Sequence, residues 1–193
     1  MLHTPLNKVI LIGASTGGPG HLRKILAALD DTVDAAIVIA QHMDAIYLPS
    51  FAKQMNDLCP LEVELVEHDT ALEGGKIYIC AGSSSLEMQG QNVILKTGSS
   101  AAGPYNPNID TLFESSAAVA RRCAVMGIIL TGIGDDGAKG CWHLAQAGGS
   151  CVAESETSAV VYGMPKRAYE LNETIAVQHL DEIISTIKTF GAR

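Results

Sequence analysis

Hydrophobic positions along this chain follow two rhythms. Short unbroken runs of branched apolar residues alternate with longer stretches in which apolar positions recur every three or four residues. A run of four to six apolar residues, too short for a helix and lacking polar alternation, reads as a strand buried on both faces. The first such run, Val9 to Ile12, stops at Gly13-Ala14-Ser15-Thr16-Gly17, and residues 21–29 continue with helical spacing. The second, Ala35 to Ala40, ends at Gln41-His42-Met43. A helical pattern then carries Leu48, Phe51, Ala52, Met55 and Leu58, with Pro49 near its start, where proline is tolerated. Residues 62–69 alternate acids with Val63, Leu65 and Val66, as an exposed edge strand does, and 76–80 form a further strand. Two alternating segments around Gly90-Gln91 predict a β-hairpin near residues 84–95. Gly, Ser, Pro and Asn fill most of 96–108, expected to be a long surface loop, after which Asp110 is placed to cap a helix running to Arg122.

The most continuous apolar strand, 124–130, ends in Thr131-Gly132-Ile133-Gly134-Asp135-Asp136-Gly137 and leads into a helix over 138–147 closed by Gly148-Gly149. Strand candidates at 151–153 and 175–177, a helix to Leu171 and a terminal helix over 180–190 complete the chain. Strands alternating with helices imply an α/β fold: a doubly wound, mostly parallel sheet, Rossmann-like in three layers. At 193 residues the chain fits one domain with a sizeable core, so 1–193 is expected to be a single unit.

Composition narrows the setting. The apolar fraction of 47% with 18% charge suits a compact α/β protein, and no window is long and apolar enough to span a bilayer. The first residues lack a signal peptide's apolar core, so neither export nor membrane insertion is expected. Five scattered cysteines with no C-x-x-C and no zinc-type spacing fit free thiols in a reducing cytoplasm. A net charge of −8 with 13 Lys and Arg residues supplies no basic face for nucleic acid.

In a doubly wound sheet, functional residues gather at the carboxyl ends of strands. Three strand ends here carry Ser15, His42 and the pair Asp135-Asp136. The spacing G-x-S-x-G around Ser15 is that of a nucleophile elbow, although the order Ser, His, Asp differs from the Ser, Asp, His of α/β-hydrolases. Serine needs a base to take its proton, and imidazole, with an ordinary pKa of about 6.5, suits that near neutrality. A carboxylate behind the ring steadies the imidazolium, and the backbone N–H of Thr16 is the first candidate donor to a tetrahedral oxyanion. A competing reading makes residues 13–20 a phosphate cradle in a nucleotide- or anion-binding module. Against it, the Gly-Lys-Ser/Thr ending is absent and Gln41-His42 stands where an acid would hold a ribose.

The segments Ile12-Gly-Ala-Ser-Thr-Gly-Gly-Pro19, Gln41-His42-Met43, Ser50-Phe51-Ala52, Ile129-Leu-Thr-Gly-Ile-Gly-Asp-Asp-Gly-Ala138 and Val160-Val-Tyr-Gly-Met-Pro-Lys166 follow one another in this order along the chain. In these the chain resembles the catalytic domain of the chemotaxis protein-glutamate methylesterase family, of the CheB type, from about Val9 to Leu180. The resemblance implies Ser15 as nucleophile, His42 as general base and Asp136, rather than Asp135, as orienting carboxylate. It also implies the N–H of Ile133, a position usually held by methionine, as a second oxyanion donor, and no metal or organic cofactor. The implied reaction is hydrolysis of glutamate methyl esters on the cytoplasmic helices of chemoreceptors, with deamidation of glutamines in some relatives. The family usually carries a phosphorylatable receiver domain ahead of the esterase, and none is expected within 1–193. Ala81 and Ser85 replace a usual proline and histidine, and Asn106 and Asn108 replace usual basic and serine positions. These changes leave open a serine hydrolase of the same fold acting on another ester or amide.

Overall fold

The unbroken apolar runs become strands of one parallel sheet. In the computed structural model, which describes residues 5–98 and 103–193, the chain order begins β1 (Lys8–Ala14), α1 (Gly18–Ala28), β2 (Ala36–Gln41), α2 (Leu48–Leu58), β3 (Glu62–Val66) and β4 (Thr70–Ala71). It continues with β5 (Lys76–Cys80), β6 (Ser84–Gln89), β7 (Asn92–Thr97), α3 (Ile109–Val119), β8 (Ala124–Ile129) and α4 (Ala138–Gln146). Then come β9 (Ser150–Glu154), α5 (Met164–Leu171), β10 (Ala176–Gln178) and α6 (Leu180–Gly191).

Seven strands lie in the order β10-β9-β8-β1-β2-β5-β3, every neighbouring pair parallel. β1 shows why its residues need no polar alternation. Val9 and Leu11 enter a core shared with α3, α4 and α5, whereas Ile10 and Ile12 enter a second core shared with α1, α2 and α6. Both faces are covered, and each of these side chains, fully removed from water, contributes roughly 1.5–3 kcal/mol. The acidic alternating strand β3 sits at the sheet edge, as its pattern predicts.

The hairpin forms as β6 and β7 and gains a third antiparallel strand, β4, on the outer side of β7. Two residues are too few for periodicity to announce that strand. The apolar face of the small sheet, with Leu86 on β6 and Val93 and Leu95 on β7, joins the core beneath α3. Of the loop expected over 96–108, residues 96 and 97 belong to β7, 99–102 lie outside the described residues, and 103–108 run as irregular chain into α3.

One expectation is corrected. The cap of α3 is Asn108, whose side chain accepts a hydrogen bond from Thr111 N at 2.8 Å, and the helix stops at Val119. Asp110 lies inside the first turn, where its carboxylate turns to another helix. Winding reverses between β1 and β8, so β1 sits at the switch point with β2 on one side and β8 on the other. Among the described residues, no helix is long and apolar enough to cross a membrane.

Candidate active site

Ser15 follows β1 directly. Its N–H donates to the Thr131 carbonyl at 3.0 Å, and its own carbonyl accepts from Gly18 N at 2.8 Å and Gln41 Nε2 at 2.9 Å. Two glycines make room for this turn. Gly17 has φ of 84°, and a Cβ on Gly132 would come within 2.7 Å of the Ser15 Cβ. The loop after β8 therefore comes close against the serine. The Ser15 hydroxyl has no hydrogen-bond partner within the protein among the described residues.

His42 follows β2, and its N–H donates to the Ala14 carbonyl at 2.9 Å, which carries the strand ladder one step further. Its Nε2 lies 2.7 Å from Asp136 Oδ2, with the carboxylate wholly buried and the ring 13% exposed. An ionised carboxylate only accepts, which assigns the ring proton to Nε2, and Nδ1 meets no partner among the described residues. The Tyr105 ring stacks on His42 with centroids 4.8 Å apart and planes 5° from parallel, and covers it on one face. Asp135, the neighbouring acid, is exposed and stands 3.5 Å from the Tyr105 hydroxyl, away from the imidazole.

The Asp136 carboxylate is held by a helix end. Oδ2 also accepts from Ile109 N and Oδ1 from Asp110 N, both at 2.8 Å, so the first turn of α3 points at it. Asp110 returns the favour to α4, accepting from Gly137 N at 2.9 Å and Gly140 N at 2.7 Å. Two helices thus exchange carboxylates across their N-termini. Burial pushes the Asp110 carboxyl above the usual carboxylate range, the Gly140 and Gly137 N–H groups pull it back, and the neighbouring Asp136 charge adds to the rise.

Beneath the serine turn lies a second buried group. Glu154, at the end of β9 and 0% exposed, accepts from Thr131 N at 2.8 Å and from the Ser158 hydroxyl at 2.8 Å. His21 Nδ1, from α1, stands 3.1 Å from Oε1 and 3.2 Å from Oε2. Thr131 in turn gives its hydroxyl proton to the Thr16 carbonyl at 2.9 Å. The Thr16 and Ile133 N–H groups donate to no protein acceptor among the described residues, while Ile133 is 61% exposed. Asn106 and Asn108, two of the departures noted above, tie the approach loops together: Asn106 Oδ1 accepts from Ser83 N at 2.9 Å, and Asn108 N donates to Ser83 Oγ at 3.0 Å.

Sequence reasoning passed over Tyr105, Glu154 and His21, and it treated Gln41 only as part of a motif. Glu154 carried a signal, since an acid closing an otherwise apolar strand has to find partners when buried. Nothing in the local pattern announces the Tyr105 stack.

A three-layer parallel sheet with a hydroxyl, an imidazole and a buried carboxylate at three adjacent strand ends defines a class: α/β proteins bearing a Ser-His-Asp set on one sheet edge. Within it the chain belongs to the CheB methylesterase family, whose model matches residues 10–187. It is 37% identical over 194 residues to a protein of Carboxydothermus hydrogenoformans named protein-glutamate methylesterase/protein-glutamine glutaminase 2, covering 96% of this chain and 55% of that one. A Geobacter sulfurreducens protein named protein-glutamate methylesterase/protein-glutamine glutaminase 3 is 39% identical over 183 residues, covering 92% of this chain and 47% of its own. The chain thus spans about half the length of these curated relatives. The crystal structure of the Thermotoga maritima CheB methylesterase catalytic domain superposes with a TM-score of 0.88 at 29% identity, covering 95% of this chain and 98% of that one.

Proposed function

We propose that the chain is a serine esterase that hydrolyses glutamate methyl esters on the cytoplasmic helices of chemoreceptors, with Ser15, His42 and Asp136 as its triad. The observation that carries this reading is the 2.7 Å contact of His42 Nε2 with a carboxylate held by the α3 N-terminus, beside the strand that delivers Ser15. With Nε2 committed to Asp136, Nδ1 is the nitrogen that takes the Ser15 proton as Oγ attacks the ester carbonyl. The resulting imidazolium is steadied by Asp136 and by the stacked Tyr105 ring. Thr16 N and Ile133 N, both without protein acceptors among the described residues, receive the tetrahedral oxyanion, each donor worth roughly 3 kcal/mol. Collapse of the tetrahedron expels methanol with the proton from Nδ1. Water, deprotonated at the same nitrogen, then frees the glutamyl carboxylate and restores Ser15.

Relatives named as glutaminases suggest the same attack on a side-chain carboxamide, with ammonia leaving in place of methanol. The phosphate-cradle reading loses ground, because Ser15 N is engaged by Thr131 O and Gly18 N by Ser15 O, which removes two of the donors a phosphate would need. All five cysteines are free thiols, in keeping with a cytoplasmic setting.

A fluorophosphonate probe tests the activated serine without assuming a substrate. Labelling is expected in the wild type and absent in Ser15→Ala, and undiminished labelling of that variant overturns the triad. Methanol release from a methylated receptor fragment then tests the substrate. Turnover of a small generic ester without methanol release from the receptor points to another ester or amide.

A further inference from the structure

We propose that Gln41 is a positioning residue that locks the nucleophile to the general base and aims the Thr16 N–H at the oxyanion; the proposal rests on the triad reading above. Gln41 is the last residue of β2, 1% exposed, and pairs in register with Ala14, the residue before Ser15. Its single amide nitrogen donates to two carbonyls, that of Ser15 at 2.9 Å and that of His42 at 2.9 Å. Two carbonyl acceptors can be met only by an NH2 group, so the orientation of the amide is decided by its partners. One side chain therefore ties together the main chains of the two residues between which a proton must pass.

The Ser15 carbonyl is half of a planar unit whose other half is the Thr16 N–H. In a trans peptide the two point in opposite directions. Gln41 Nε2 and Gly18 N hold the carbonyl from one side, which turns the Thr16 N–H to the other, where no protein acceptor meets it among the described residues. Strand pairing does not require this amide, because the backbone bond from His42 N to Ala14 O already extends the ladder.

The other end of the amide shows that packing alone does not explain the residue. Oε1 is buried with no hydrogen-bond partner among the described residues, and it presses on Gly18, where an added Cβ would come within 2.1 Å of it. A buried acceptor left without a donor weakens the fold. A methionine of similar shape would fill the space without that cost, so the amide is retained for its N–H groups. Gly18, in turn, leaves room for Oε1 by having no Cβ.

The test compares the wild type with Gln41→Met and Gly18→Ala, the second crowding Gln41 Oε1 and also the Ala14 Cβ, 2.1 and 2.8 Å from the added Cβ, while keeping the amide chemically intact. A small nitrophenyl ester reports kcat and KM, and a trifluoromethyl ketone reports binding of a tetrahedral oxyanion. Misaiming predicts a fall in kcat and in ketone affinity together, roughly 100-fold, with KM and the pH profile close to wild type in both variants and the melting temperature close to wild type in Gln41→Met. A kcat for Gln41→Met within about threefold of wild type, or a fall in kcat with ketone affinity retained, overturns the proposal. Where Gln41→Met does not fold, Gly18→Ala decides on the same criteria. Loss of the fold in both variants also overturns it, because these contacts would then be holding the sheet edge together. Absence of fluorophosphonate labelling in the wild type is a separate failure, that of the triad itself.

Discussion

Replacing Asp136 by Asn changes one oxygen to an NH2 and should separate catalysis from folding. In the native site Oδ2 takes the His42 Nε2 proton and the Ile109 N–H, and Oδ1 takes the Asp110 N–H. An asparagine with its NH2 in the Oδ2 position donates to Nε2 and drives the ring proton to Nδ1. That is the nitrogen that the proposed mechanism needs to accept the Ser15 proton. The opposite rotamer restores the tautomer but sets NH2 against the Asp110 N–H, so one donor in the first turn of α3 loses its acceptor in either case. The orphaned buried donor costs about 1–3 kcal/mol. Loss of the negative charge at the helix N-terminus removes about 0.3–1 kcal/mol more. Relief of the repulsion between Asp136 and Asp110 offsets part of this, leaving a net loss of about 1–3 kcal/mol. For a chain of this size that is roughly 3–10 °C in melting temperature. Loss of activity from the wrong tautomer should be far larger, about 10⁴-fold in kcat. Stopped-flow or steady-state hydrolysis of a small ester, with thermal and urea unfolding of the same samples, reads both quantities. A kcat within about tenfold of wild type would refute the tautomer argument, because the imidazole would then be working without its carboxylate. An unchanged melting temperature would refute the capping argument independently.

Two further predictions concern carboxylates that make no direct contact with His42. Glu154→Leu leaves Thr131 N, the Ser158 hydroxyl and His21 Nδ1 without their acceptor and should destabilise by about 3 kcal/mol in urea unfolding. Glu154→Gln keeps an oxygen for Thr131 N, lets Ser158 accept from its NH2, and should cost about 1 kcal/mol or less; equal losses in the two variants would contradict the network. Asp110 has its folded pKa raised, chiefly by burial, so the stability it contributes is fully present below the unfolded value of about 3.9 and is lost as pH rises through the higher folded value. The stability of wild type minus that of Asp110→Asn should therefore decline over that window and be flat above it. Urea unfolding at a series of pH values checks this, and a difference that grows with pH would reverse the assigned sign.

Periodicity and punctuation in the chain determined much of this protein on their own. Unbroken apolar runs closed by small residues announced strands covered on both faces, the alternating acids of 62–66 announced an edge, and Gly90-Gln91 announced the hairpin. A parallel sheet then brings strand ends to one side, so Ser15, His42 and Asp136 were legible as candidates because each stands just past an apolar run. Tertiary structure alone decided how those groups are held. Asp110 read as a cap for its own helix, yet Asn108 does that work and Asp110 caps α4, because two helices that start at Ile109 and Ala138, 29 residues apart in sequence, meet N-terminus to N-terminus. Burial of one face is written in the spacing of residues, whereas the meeting of two helix ends depends on crossover lengths and packing angles that no local spacing encodes. The same holds for the Tyr105 ring over His42, the His21–Glu154 pair beneath Thr131, and the Gln41 amide between Ser15 and His42. Each joins groups from elements that only the wound sheet makes neighbours. A chain records which positions seek the core, but the partner of a buried polar group is chosen by whichever donor the fold delivers within 3 Å or so.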